Sequence, residues 1–184
     1  QEIGTNTFKD CPVLRYVGLQ EGLVTIGSYA FSNTPNLESI TLPQSLEKIN
    51  TYAFARSGLK SITIPQNVTT IGNNAFSSGN LETVTFAPKG KLSTIPSSMF
   101  SSQYRLHTID WENTNITTIN SEALSGCSSL KLTHLPTHLK TINTRAFYGC
   151  TAIDSIVPAI SILTGLLLYT PLKRLKSTCQ SGLS

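Results

Sequence analysis

His107, Asp110 and His134 are the side chains of this sequence whose types could do chemistry together. Asp110 and His134 hold equivalent places in successive copies of a repeated pattern, with Lys131 and Leu132 beside them. Imidazole and carboxylate both bind zinc, but zinc wants three or four converging donors at about 2.0–2.2 Å. His107 falls at a different place in the pattern, so the set does not converge. A nucleophile is no better supported, because the serines lie on repeated positions and no nucleophile-elbow motif occurs. The expectation is therefore no metal, no cofactor and no catalytic residue.

The cysteines follow the same pattern. Cys11, Cys127 and Cys150 each come three residues after Phe8, Leu124 and Phe147, a position expected to face inward. Buried thiols behave there as small apolar groups. Cys127 and Cys150 would sit in adjacent copies, at a separation that also permits a disulfide; thiols are the favoured state. Cys179 stands alone, and the redox compartment stays undecided.

What positions these residues is the repeat itself. Ile26-Gly-Ser-Tyr-Ala-Phe31 is one copy of an Ile-x-x-x-Ala-Phe hexamer, followed by Leu37-Glu-Ser-Ile40-Thr-Leu42-Pro43. Its anchors are Ile3, Ile26, Ile49, Ile71, Ile95, Ile119 and Ile142, separated by 23, 23, 22, 24, 24 and 23 residues. A period held that closely marks a solenoid, each repeat being one coil of a stack. The Leu-x-x-Ile-x-Leu portion reads as a half-buried strand stopped by proline. The hexamer spaces its apolar residues for a single helical or 3₁₀ turn, so short helical turns or extended segments are expected on the convex side behind each strand. The linker between Phe86 and Ile95 is longer, which a surface turn absorbs.

If the strands stack, their outward residues form columns. Arg15, Glu38, Lys60, Glu82, His107 and Lys131 alternate in sign along most of one column, as a ladder that stabilises stacking. Two further columns carry mainly Ser and Thr in the middle coils. Tyr16, His107, Asp110, Leu132 and His134 interrupt that uniformity, and they are the residues expected to meet a partner. Thr133 stands where the neighbouring strands have Ile or Val. Asn67-Val-Thr69 and Asn115-Ile-Thr117 fit the N-glycosylation pattern and would lie on one outer edge.

Composition narrows the classes. The chain of 184 residues is 39% hydrophobic and 13% charged, too apolar and too regular for disorder. Its formal charge of +4 is scattered, and no basic stripe with interleaved aromatics points to nucleic acid. The apolar run from Ala159 to Tyr169 is far shorter than the roughly 20 residues that span a bilayer. Residues 1–158 are read as one solenoid of about seven coils, a piece of a longer array. Residues 159–184 are read as a degenerate final repeat or an irregular tail.

The pattern resembles the BspA-like, or Treponema-type, leucine-rich repeats. Leu59-Lys-Ser-Ile-Thr-Ile-Pro65 and Ile71-Gly-Asn-Asn-Ala-Phe76 match that repeat almost letter for letter. The match weakens at Ile95-Pro-Ser-Ser-Met-Phe100 and at Ala123-Leu124. The resemblance implies a curved right-handed solenoid of the α/β repeat type, with a parallel sheet on its concave face. It also implies a cell-surface or secreted location and non-catalytic adhesion to a protein or glycan, such as a host matrix or cell-surface protein. The alternative is a structural spacer whose binding site lies elsewhere.

Overall fold

The computed structural model describes residues 1–156; residues 157–184, which include the segment read as a degenerate final repeat or irregular tail, lie outside the described residues. Ten short strands are present among the described residues: β1 (Glu2–Ile3), β2 (Thr25–Ile26), β3 (Lys48–Ile49), β4 (Ser61–Ile64) and β5 (Thr70–Ile71) in the first half. They continue with β6 (Thr83–Phe86), β7 (Thr94–Ile95), β8 (Thr108–Asp110), β9 (Thr118–Ile119) and β10 (Thr141–Ile142). All pair in parallel, anchor Ile over anchor Ile in the two-residue strands. The molecule is thus a parallel solenoid.

The two-residue strands arise because a β-branched Ile turns inward while the residue before it faces out. They build one side of the stack in two sheets, β1-β2-β3-β5 and β7-β9-β10. The division has a cause in the sequence. The residue after the anchor Ile normally donates its amide to the anchor carbonyl of the coil before: Gly27, Asn50, Gly72, Asn120 and Asn143 do so at 2.7–2.9 Å. Pro96 occupies that place between β5 and β7 and has no N–H to give.

The other side carries β4-β6-β8, with Ile62, Val84 and Ile109 stacked inward. Middle coils therefore hold two strands each, where one was expected. Conversely, the Leu-x-x-Ile portions at 14–19, 37–42 and 130–135 do not form strands of this sheet. Gly18 weakens the first, and an altered in-and-out order, described below, removes the last.

The hexamers are not helical; among the described residues there is no helix. Each hexamer and the residues after it make two turns, with left-handed residues at the third and seventh positions after the anchor, for example Tyr29 (φ 57°) and Asn33 (φ 58°). The intervening amides point out of the coil. Tyr29, Phe31 and Asn33 donate to Thr51, Ala53 and Ala55 of the next coil at 3.1, 2.7 and 2.8 Å. A helix would direct those amides back along its own turn. Here bonds between coils satisfy them, and that offsets the left-handed strain of about 1–2 kcal/mol per residue. Extra residues in the longer coils are taken up the same way, at Lys89 and Asn113, where the Lys89 amide donates to the Asn113 carbonyl at 2.8 Å.

Inside, the hexamer phenylalanines form a spine. Phe8, Phe31, Phe54, Phe76 and Phe100 stack in order with ring centroids 5.1–5.9 Å apart. Leu124 interrupts it, and Phe147 resumes the position, fully buried. Burial of each ring contributes about 1.5–3 kcal/mol. Gly58 lets two coils approach closely, since a Cβ there would run into the Pro35 carbonyl.

Candidate binding face

The outward residues of β4, β6 and β8 lie in register: Ser61, Thr83 and Thr108 in one column, Thr63, Thr85 and Asp110 in the next. This is the face expected to be concave. Its floor is small hydroxyl side chains, each able to donate and accept. The charged column runs beside it. Lys60 Nζ lies 2.6 Å from Glu38 Oε2. That hydrogen bond and charge, with Arg15 further off, hold the Glu38 carboxyl below its ordinary range. Glu82 sits 4.0 Å from Arg105 of the following coil.

Tyr16 is 78% exposed, and its phenol tip leans along the chain over Gly18. His107 and Asp110 are exposed. His107 Nδ1 is hydrogen-bonded to Thr108 Oγ1 at 2.9 Å, and Asp110 Oδ1 accepts the Glu112 amide at 3.3 Å. His134 is half-buried, its Nδ1 bonded to Thr133 Oγ1 at 3.0 Å. Its backbone carbonyl accepts the buried Trp111 Nε1 at 3.1 Å.

Leu132 requires a correction. It is 4% exposed and belongs to the core, not to the outer face. In that coil Leu130, Leu132 and Leu135 point inward while Lys131 and Thr133 are exposed, so the inward place falls one residue earlier than in neighbouring coils. A leucine costs less to bury than a threonine hydroxyl without a partner, and the chain turns accordingly. The patch therefore reduces to His107, Asp110 and the edge of His134. Each imidazole is tied by Nδ1 to the threonine beside it in sequence, and among the described residues no three His, Cys, Asp or Glu side chains group as metal ligands.

Cys127 and Cys150 are fully buried thiols that donate to the Phe100 and Leu124 carbonyls at 3.2 and 3.1 Å. The hydrogen bond with Cys127, together with burial, pushes the Cys150 thiol far up. The same column holds Gln103, which is 1% exposed, accepts the Leu81 amide at 2.9 Å and donates to the Phe76 carbonyl. Cys11 is half-buried, and Cys179 lies outside the described residues.

Other residues that sequence reasoning missed are coil-to-coil clamps. Glu21 accepts the backbone amides of Gln44 and Ser45 at 2.8 and 2.9 Å, which hold its carboxyl below the ordinary range. Asn67 and Asn115 share one edge, as expected, and each Nδ2 donates to a carbonyl of the coil before, Gln44 or Gly90, at 2.9 Å. Thr69 and Thr117 of the same triplets donate to Glu47 and Ser93 at 3.3 and 3.2 Å. The Asn-x-Thr spacing thus has a structural use.

Stacked parallel strands, an inward Ile, Leu and Phe ladder and a 23-residue period define a leucine-rich-repeat solenoid. The chain belongs to the BspA type leucine rich repeat family, whose model matches residues 1–107 and 57–164 in six copies. It is similar to a leucine-rich repeat protein of T. pallidum, at 28% identity and a TM-score of 0.74, over 84% of this chain and 72% of that one. It is also similar to one from Eubacterium ventriosum, at 31% identity and a TM-score of 0.74, over 79% of this chain. The match spans only 39% of the Eubacterium protein's length. No curated relative matches. No helix among the described residues is long and apolar enough to cross a membrane.

Proposed function

We propose that this solenoid is a non-catalytic, surface-displayed or secreted module that presents the β4-β6-β8 face, as its concave side, to a protein or glycan ligand. One observation carries the reading: a floor of Ser and Thr, exposed at Ser61, Thr63 and Thr108 and half-buried at Thr83 and Thr85, lies between bulkier exposed side chains, Tyr16 in the first coil and His107 with Asp110 at β8. Solenoids create extended surfaces of this kind by stacking. Membership of the BspA type family supports display at the cell surface and a binding role, with host matrix or cell-surface proteins as the partners to try first. The scattered charge gives no reason to expect nucleic acid.

The test is binding of the purified chain to a panel of matrix proteins and glycans, wild type against Tyr16→Ala and a His107→Ala, Asp110→Ala double variant. Saturable binding that both variants weaken supports the face. Binding untouched by either removes it. The second reading, a spacer within a larger surface protein, is favoured by the sameness of the Ser and Thr columns, and wild type binding nothing on the panel supports it. Asn67 and Asn115 are proposed as glycan acceptors. Mass shifts at both after expression in a eukaryotic host test that proposal.

A further inference from the structure

We propose that the outward side of the coil beginning at Ile95 is a contact site for a neutral oligosaccharide, with Tyr104 and Arg105 joining His107 and Asp110. The proposal rests on the reading of the β4-β6-β8 face as a binding surface, and it commits that surface to one class of ligand.

The exposed side chains of this coil differ from those beside them. Asp110 follows Thr63 and Thr85 in its column. Tyr104 stands nine residues after its anchor, where the neighbouring coils have Asn80 and Ser128. Arg105 has no counterpart in the coil before, because Leu106 follows its anchor by eleven residues and Leu81 by ten. The extra residue brings a guanidinium to the border of the face. Arg105 Nη1 lies 4.0 Å from Glu82 Oε1, and the His107 amide donates to the Glu82 carbonyl at 3.0 Å. Tyr104, in the same turn as Arg105, is 62% exposed.

The polar groups keep hydrogen-bonding capacity for a ligand. The contact of Arg105 with Glu82 is longer than a hydrogen bond, so it does not use up the five N–H donors of the fork. His107 spends Nδ1 on Thr108, which leaves Nε2. Asp110 accepts the Glu112 amide through Oδ1 at 3.3 Å, which leaves Oδ2. A sugar hydroxyl both donates and accepts, so it pairs with a carboxylate, an imidazole or a guanidinium alike. The C–H side of a pyranose, slightly positive, packs on the negative face of a tyrosine ring. Thr83 and Thr85, one coil back in the columns of Thr108 and Asp110, supply further hydroxyls. From Arg105 to Asp110 an extended chain reaches no further than about 17 Å, the scale of a short oligosaccharide.

Charge and composition choose among the ligand classes. Arg105 and Lys131 stand beside Glu82, Asp110 and, past the end of β8, Glu112. A sulfated or sialylated chain meets carboxylates here and a basic peptide meets cations, whereas a neutral sugar meets neither penalty. Protein interfaces centre on a desolvated apolar cluster, and Ser and Thr seldom carry their binding energy. This face offers hydroxyls at its centre, with Tyr16 and Tyr104 apart in the first and fifth coils.

The experiment titrates the full chain with trisaccharides of neutral hexoses and N-acetylhexosamines, with sialylated and sulfated forms of the same sugars, and with matrix proteins stripped of their glycans. The variants are Tyr104→Ala and Arg105→Ala, with Val13→Ala as the control at an exposed apolar side chain of the first coil. The expected result is saturable binding to a neutral trisaccharide, weakened at least about fivefold by each variant and unchanged by the control. Binding unchanged in either variant overturns the site. Stronger binding of the charged sugars, or binding of the stripped proteins alone, overturns the ligand class while the face stands as a binding surface. Binding to none of the probes overturns the proposal together with the reading beneath it.

Discussion

Phe31 lies on Phe54 with ring centroids 5.1 Å apart and planes within 7° of parallel, two identical residues 23 positions apart in identical surroundings. That relationship is the repeat made physical: period in sequence becomes contact in space, and each coil supplies the floor on which the next packs. Removing one ring leaves a gap that its neighbours, held by bonds on both sides, close poorly. Phe54→Ala is expected to lower stability by about 3–5 kcal/mol. Chemical denaturation measures it, and a loss under about 1 kcal/mol would mean that the spine is not tightly packed.

Acid should loosen the stack at its edge. Glu21 accepts amides from the next coil and Glu38 accepts from Lys60, and both carboxyls lie below their ordinary value of 4.5. A carboxyl depressed on folding contributes stability above its unfolded value, and that contribution is lost as pH falls through the lower folded value. Stability should therefore drop below about pH 4.5, and Glu21→Gln should flatten the drop without changing behaviour at pH values low enough to protonate the carboxyl in the folded chain as well. Because both groups are exposed the effect is small and, for Glu38 with Lys60, weakened by salt. A pH profile identical in the variant would remove Glu21 as a clamp.

Pro96 should be replaceable by a residue that heals the divided sheet. Asn stands at the same place in three other coils, Asn50, Asn120 and Asn143, each giving its amide to an Ile carbonyl. Pro96→Asn should add one such bond to Ile71, a gain of about 0.5–1.5 kcal/mol. A looser unfolded chain offsets about 0.4–1 kcal/mol of that. Net stability should move little while the new amide at position 96 becomes slow to exchange. An amide exchanging as in an exposed turn would show that more than the proline separates β5 from β7.

Cys127 and Cys150 should resist thiol reagents in the folded state. Both are fully buried, and the Cys150 thiol is pushed up, so little thiolate is present to react. Labelling mapped by mass spectrometry should find both modified only after denaturant is added. Fast labelling of either in native buffer would contradict the packed arrangement of these coils.

Much of this structure was legible in the sequence, and the failures are instructive. The period, the anchors and most inward residues follow from spacing alone, because burial repeats with the coil. The hexamer read as a helical turn because apolar spacing of four and five suits a helix as well as two left-handed turns. Asn6, Asp10, Asn33, Asn74, Gly126 and Gly149, all at the third or seventh position, carried the missing signal, since Asn, Asp and Gly tolerate that conformation best. Leu132 reads as outward when its strand is aligned on Leu130 and alternates as its neighbours do, and only the stacked coil shows the leucine turned inward. The clamps of Glu21, Asn67 and Gln103 join residues 22–27 positions apart, and no local pattern reveals such a bond before the coils are stacked. Of the candidate site, Tyr16, His107 and Asp110 are exposed as expected, whereas their role rests on binding, not on geometry.

The most direct measurement is titration of the purified chain against immobilised matrix proteins and glycans, beside the His107→Ala, Asp110→Ala double variant and Tyr16→Ala. Since these side chains are exposed, the variants should fold and melt as the wild type does. The expected result is saturable binding to one partner that falls at least about tenfold, or 1.4 kcal/mol, in the variants. Full-strength binding by variants that fold normally would contradict the assignment of the β4-β6-β8 face as the binding surface.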